Sequence, residues 1–174
     1  RFAKMDTHRR FMQRALNISR LGRSSVSPNP IVGCVIVKNN KIIGEGYHNQ
    51  FGGPHAEVLA VRNSTESVCG ATAYVTLEPC NQSGKTPPCL RLLIESNIEK
   101  VVIGIKDPNP MMSHSGIDQL KAAGIQTDLG ILKTEIQYAN RGFLKWIQYG
   151  LPWVIVKIAQ SDNGLISINR HERT

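Results

Sequence analysis

The sequence has no apolar run that approaches the roughly 18 residues of a membrane-spanning helix. Its opening residues, RFAKMDTHRRFMQ, carry charges and lack the apolar centre of a secretory signal peptide. Internal repeats and low-complexity segments are also missing. These absences predict a cytoplasmic protein with no membrane partner.

Aromatic residues are scarce, at 6% of the chain, and acidic residues are outnumbered by basic ones, 13 against 21. The formal net charge of +8 suggests an anionic partner, either nucleic acid or a phosphorylated small molecule. The basic residues are scattered and are not interleaved with the aromatic side chains on which bases stack in single-stranded nucleic-acid sites. We therefore expect a small-molecule partner and no nucleic acid.

The four cysteines are Cys34, Cys69, Cys80 and Cys89. In a secreted protein they would suffice for two disulfides, but this chain shows no sign of export. It is also long enough to bury about 70% of its unfolded surface without such cross-links. Metal binding or plain burial is the better interpretation, and Cys34, in the apolar run IVGCVIV, is assigned to burial.

The hydrophobic pattern predicts one α/β domain over residues 1–150, a three-layer α/β/α sandwich around a five-stranded mixed sheet. Asp6 or Thr7 can cap a first helix, and two β-branched runs joined by Asn39 and Asn40 are typical of a hairpin. Strands then alternate with helices, which favours parallel pairing. The later predictions are strands in ATAYVTL, KVVIGI and IQTDLGI, and helices in HAEVLAVRN, PPCLRLLIESN, GIDQLKAAG and LKTEIQYANRGFLKWIQYG.

Two short motifs indicate a metal site. HAE places His55 at the start of a predicted helix, and PC with a later cysteine places Cys80 after a strand and Cys89 in the first turn of the next helix. Zinc binds imidazole and thiolate, and a catalytic zinc keeps a fourth position open beside three protein ligands. Glu57 lies close by and can move a proton between a metal-activated water and a leaving amine. The set is typical of zinc deaminases, except that eight residues separate the cysteines instead of about two.

These motifs, with SPNPIVGCVIV, GEGYH and DPNP around them, resemble the pyrimidine deaminase domain of the riboflavin-biosynthesis deaminase/reductase. The resemblance runs from about Met5 to Tyr149 and is most specific in the cysteine spacing with GKTPP. It implies a cytidine deaminase-like fold, Zn2+ as cofactor and a phosphoribosylated pyrimidine as substrate. The implied reaction converts 2,5-diamino-6-(5-phosphoribosylamino)pyrimidin-4(3H)-one to 5-amino-6-(5-phosphoribosylamino)uracil and ammonia. A homo-oligomer and a fused or separate reductase stay open as partners.

The resemblance also implies residue roles. The implied zinc ligands are His55, Cys80 and Cys89, and Glu57 is the implied proton carrier. The implied substrate-binding residues are Asn29, His48, Gln82, Lys85, Asp107 and Asn109.

From chemistry alone, several of these substrate roles have ordinary alternatives. The Asn29 amide suits the edge of an aminopyrimidinone, but an asparagine between prolines can equally shape a turn. His48 can be a solvated residue at a strand end, and Asp107 and Asn109 can belong to a simple turn. Lys85 suits a phosphate as a point charge, or it is an exposed loop lysine.

Two places depart from the resembled pattern. Gln82 stands where the family usually has histidine. Glutamine can form a hydrogen bond to the substrate, but it cannot gain or lose a proton near neutral pH as histidine can. Residues 111–116, MMSHSG, differ from the residues that usually follow DPNP in the family, so the resemblance predicts no conformation for this loop.

The segment VKIAQSDNGLIS, within a new β run after Pro152, resembles the opening strand of the family's reductase domain. We assign residues 151–174 to a linker and the first strand of a reductase domain that is truncated or absent, and expect no reductase activity from this chain alone.

Two other functions stay open. The chain can be a deaminase of another nucleotide or of nucleic-acid bases, which the charge of +8 favours. It can also be a non-catalytic zinc domain, although a structural zinc normally has four protein ligands and here Glu57 accompanies three.

Overall fold

A computed structural model of the chain describes residues 2–81, 88–109, 116–164 and 166, with side chains from residue 5 onward. One five-stranded sheet lies between two layers of helices, which confirms the predicted three-layer α/β/α architecture. No helix within these ranges is long and apolar enough to cross a membrane.

The sheet consists of five strands: β1 (Gly33–Lys38), β2 (Lys41–Tyr47), β3 (Thr72–Leu77), β4 (Lys100–Ile105) and β5 (Gln126–Leu129). Their order is β2-β1-β3-β4-β5, with β1 antiparallel to both neighbours and β3, β4 and β5 parallel. The predicted hairpin is confirmed. It turns at Asn39 and Asn40, whose φ angles of 49° and 62° give the mirror-image turn that suits the twist of paired strands.

Among the described residues, six α-helices accompany the sheet: α1 (Phe2–Ser19), α2 (Ala56–Arg62), α3 (Cys89–Glu95), α4 (Gly116–Ala122), α5 (Lys133–Ala139) and α6 (Arg141–Tyr149). Helices α1 and α5 pack on one face, and α2, α3 and α4 pack on the other. Met12 and Leu16 lie on one side of α1 and are fully buried against the sheet. The backbones meet closely here, since a side chain at Gly33 would collide with the carbonyl of Ala15.

The first helix begins earlier than predicted. It starts at Phe2, so Asp6 and Thr7 lie inside α1 and the prediction that either caps it is wrong. The residues before Asp6 include alanine, lysine and methionine, which favour helix, and nothing among them stops the helix from extending.

The single long helix predicted for residues 132–150 is two helices. Asn140 separates α5 from α6 with φ −104° and ψ 15°. Its side chain accepts a hydrogen bond from the Ile31 N–H at 2.9 Å and donates one to the Ile31 carbonyl at 3.1 Å. This tertiary contact joins residues 109 apart in sequence, so local periodicity could not reveal it.

The predicted β run after Pro152 is not a strand of this sheet. Residues 151–161 pair with no strand in the described part of the chain, and the side chains of Trp153, Val154 and Ile155 are exposed. A strand needs a neighbour with which to exchange backbone hydrogen bonds, and the sequence pattern does not show whether one is present. The assignment of residues 151–174 to the start of a reductase domain stays a prediction.

The topology gathers predicted site residues at one edge of the sheet. Cys80 follows the carboxyl end of β3, and Asp107 follows the carboxyl end of β4. Because β1 runs antiparallel to β3, its amino end, preceded by Asn29, lies at the same edge. The carboxyl end of β2, followed by His48, joins them because β2 reverses direction again. Ligand sites in open α/β sheets lie beyond the carboxyl ends of the parallel strands, which is where these predicted site residues are found.

Candidate active site

Three predicted metal ligands converge from separate elements. His55 is the residue that precedes α2, Cys80 follows β3, and Cys89 is the first residue of α3. Their ligand atoms all lie within 4.8 Å of one another. Nδ1 of His55 lies 3.2 Å from Cys89 Sγ and 3.4 Å from Cys80 Sγ.

The chemistry of this donor set fits zinc. The Cys89 N–H donates to Cys80 Sγ at 3.3 Å. The pKa of the Cys80 thiol is lowered to about 4, mainly because the Cys89 side chain donates a hydrogen bond to it and also because His55 does. The same pairing with Cys80 raises the pKa of the Cys89 thiol. One imidazole and two sulfur ligands are what Zn2+ prefers, and three protein ligands leave a fourth position for water or substrate.

Glu57 is a buried carboxyl group beside these ligands. It lies in the first turn of α2, two residues after His55, and only 3% of it is exposed. Burial, and next the negative charge of Cys80, raise its pKa to about 7. A buried carboxyl group with a pKa near neutral, next to a predicted metal site, is suited to exchange protons with bound molecules.

A cavity of about 300 Å³ opens onto the ligand cluster. It contains seven of the ten predicted site residues, whereas Cys89 lies buried outside its lining. Gln82 and Lys85 fall outside the described residues, as does most of the loop 111–116. The lining residues are Asn29, Pro30, Val32, His48, His55, Ala56, Glu57, Leu77, Glu78, Cys80, Asp107, Asn109, Phe143 and Ile147.

At one side of the cavity, Asn29 and His48 form a hydrogen-bonded pair. Asn29 Nδ2 donates to His48 Nε2 at 3.2 Å, and His48 Nδ1 donates to the Pro54 carbonyl at 3.1 Å. This arrangement places the imidazole proton on Nδ1, and burial lowers the pKa of His48. The pair therefore presents a neutral, oriented hydrogen-bonding edge.

The segment after β4 supplies a second polar group. Asp107 Oδ1 accepts a hydrogen bond from the Asn109 N–H at 2.9 Å, which closes a tight turn. Burial raises the pKa of Asp107. Both residues line the cavity.

Sequence reasoning missed Glu78, which is buried and lines the cavity. Its Oε2 accepts a hydrogen bond from the Asp107 N–H, and its Oε1 accepts one from the Ile117 N–H, both at 3.1 Å. The carboxylate thus fixes the backbone after β4 to the start of α4. An acidic residue directly after the apolar strand AYVTL was the available signal, because a buried charge needs partners.

We expect Glu78→Gln to loosen this connection, because an amide keeps only one accepting oxygen. Either the Asp107 or the Ile117 N–H then loses its acceptor, which lowers the free energy of unfolding by about 1–3 kcal/mol. Denaturant titration measures this loss, and the Michaelis constant for substrate should rise while zinc content is unchanged. The exposed Glu99→Gln is the matched control. Equal stability of the two variants would contradict the role given to Glu78.

Sequence reasoning also missed that α6 reaches the cavity. The residues Phe143 and Ile147 line it from this helix. Their spacing of four puts them on one helical face, but spacing alone does not show what that face meets.

Comparison with known proteins agrees with this geometry. The sequence profile of the family described as "Cytidine and deoxycytidylate deaminase zinc-binding region" matches residues 5–105. A diaminohydroxyphosphoribosylamino-pyrimidine deaminase of Buchnera aphidicola subsp. Acyrthosiphon pisum is 52% identical over 82% of this chain and 97% of its own length.

Longer relatives match as well. The riboflavin biosynthesis protein RibD of Escherichia coli (strain K12) is 47% identical over 88% of this chain, and the chain spans 42% of that relative. The solved structure of Acinetobacter baumannii RibD, form 2, superposes with a TM-score of 0.87 at 45% identity, covering 92% of this chain and 46% of that one. This chain therefore corresponds to about two fifths of the RibD relatives it matches.

Proposed function

We propose that this chain, which belongs to the cytidine and deoxycytidylate deaminase family, removes a ring amino group from its substrate by hydrolysis. The substrate we assign is 2,5-diamino-6-(5-phosphoribosylamino)pyrimidin-4(3H)-one, and the products are 5-amino-6-(5-phosphoribosylamino)uracil and ammonia. The observation that carries the proposal is the placement of Glu57 in the same cavity as His55 and Cys80. The names of the highly similar relatives support the choice of substrate.

His55, Cys80 and Cys89 would hold a zinc ion. When bound, zinc supplies the Lewis acid that makes water a nucleophile at neutral pH. The three proposed ligands come from two helix starts and one strand end.

Glu57 carries the proton in the proposed reaction. It takes a proton from the attacking water as the oxygen bonds to C2 of the ring, and it gives that proton to the departing amino nitrogen as the C–N bond breaks. The second proton of the water moves to the ring nitrogen that was doubly bonded to C2, so the ring gains a carbonyl oxygen and an N–H as ammonia leaves. One carboxyl group can serve both steps because the cavity keeps it beside the reacting atoms and away from bulk water.

Asn29 and His48 are proposed to orient the pyrimidine. Since Nδ2 of Asn29 is engaged by His48, its carbonyl oxygen is the atom suited to accept a hydrogen bond from the ring or its amino group. Asp107 and Asn109 are proposed to bind the ribose hydroxyls. Gln82 and Lys85 remain predicted substrate-binding residues, and Lys85 is assigned to the phosphate.

The test combines zinc analysis with ammonia release. Purified protein should contain about one zinc per chain and release ammonia from the diaminopyrimidine ribotide. Cytidine, deoxycytidylate, transfer RNA and single-stranded DNA serve as comparison substrates. A zinc-loaded protein that leaves the ribotide intact and deaminates one of these others would overturn the substrate assignment. A zinc-loaded protein that deaminates none of them would support a non-catalytic domain.

A further inference from the structure

Helix α6 forms one wall of the substrate cavity. Phe143 and Ile147 line the cavity, whereas Trp146, on the same helix, is 54% exposed and is absent from the lining. No residue of α6 is fully buried; Leu144 packs against the core, whereas Phe143 and Ile147 line the cavity. Its apolar inner face is therefore available to a ligand.

A buried asparagine holds this wall in place. Asn140 is only 4% exposed, and its amide pairs with both the N–H and the carbonyl of Ile31. Ile31 follows Asn29 and Pro30, which line the same cavity. One side chain thus fixes the start of α6 to the segment that carries Asn29.

The wall lies outside the region shared by the family. The family profile matches residues 5–105, and α6 spans Arg141–Tyr149. The metal ligands and Glu57 all lie within the matched region. A surface of the cavity that lies beyond the shared catalytic region is well placed to decide which substrate is accepted.

We propose that α6 is the substrate-selecting wall of this cavity, in which Phe143 and Ile147 pack against the apolar face of the bound ribotide. Asn140 is the positioning residue that fixes the wall to the Asn29 segment. This inference rests on the proposed deaminase function and adds a specificity surface to it. An aromatic ring offset over a planar pyrimidine gains stacking and burial that polar groups at the ring edge do not supply.

The experiment compares Phe143→Ala with Trp146→Ala, two aromatic truncations on one helix. We expect Phe143→Ala to raise the Michaelis constant for the ribotide about tenfold, with the turnover number within about twofold and zinc content unchanged. Loss of a buried aromatic contact is of this size. Trp146→Ala should match the wild type, and Phe143→Leu should recover part of the affinity because it restores apolar volume.

A second variant tests the anchor. Asn140→Asp keeps the size of the side chain but loses the donor to the Ile31 carbonyl, so we expect a higher Michaelis constant with zinc content unchanged. If the wild type releases ammonia and Phe143→Ala behaves like Trp146→Ala, the wall inference is wrong while the proposed function stands. If the wild type releases none from the ribotide, the proposed function itself fails.

Discussion

Glu57→Gln is expected to lower ammonia release from the ribotide by about 10²- to 10⁴-fold, the usual contribution of a positioned general acid or base. Glutamine has nearly the same shape but cannot exchange the proton that the reaction needs. Because Glu57 is not one of the three proposed metal ligands, zinc content should stay at the wild-type level. Steady-state kinetics with metal analysis on the same preparation measures both quantities.

The matched control for Glu57→Gln is Glu95→Gln. Glu95 is exposed and pairs with Arg91 four residues earlier on α3, a solvent-screened surface contact that contributes little to stability. Its variant should keep full activity. Turnover by Glu57→Gln within severalfold of the control would contradict the assignment of Glu57 as the proton carrier.

Cys89→Ser is expected to remove zinc and activity together. A neutral hydroxyl is a much poorer zinc ligand than a thiolate, and two remaining protein ligands do not hold the ion against a chelator. The variant should lose zinc on dialysis against a mild chelator that leaves the wild type loaded. Its melting temperature should no longer rise when zinc is added, because a ligand stabilises only the state that binds it.

The control here is Cys69→Ser. Cys69 is an exposed free cysteine outside the ligand cluster, so its replacement should leave zinc content, activity and melting temperature unchanged. Stoichiometric zinc in chelator-treated Cys89→Ser, or zinc loss from Cys69→Ser, would show that the three-residue cluster is not the metal site.

The strands and the ligand cluster could be predicted from the sequence because both depend on local sequence patterns. Each of these patterns depends on neighbouring residues: the β-branched runs, the Asn39–Asn40 turn and the HAE and PC motifs. The structure places them as the patterns suggest. The hydrophobic runs also predicted the alternation of strands and helices. Parallel pairing of β3, β4 and β5 follows from that alternation.

The missed features depend on contacts between distant parts of the chain. The break between α5 and α6 comes from the pairing of Asn140 with Ile31, and the role of Glu78 comes from backbone donors at Asp107 and Ile117. Helical spacing showed that Phe143 and Ile147 share a face but not that the face lines a cavity. Such contacts are set by the assembled fold, not by the local sequence.

The most direct test of the central claim follows the oxygen atom. Zinc-loaded protein and the metal-free protein are each incubated with the diaminopyrimidine ribotide in water enriched in the heavy oxygen isotope, and products are identified by mass spectrometry. Hydrolytic deamination predicts a uracil product carrying one heavy oxygen as its C2 carbonyl and an equal amount of ammonia, formed only by the zinc-loaded protein. An unlabelled product, or equal turnover by the metal-free protein, would contradict it.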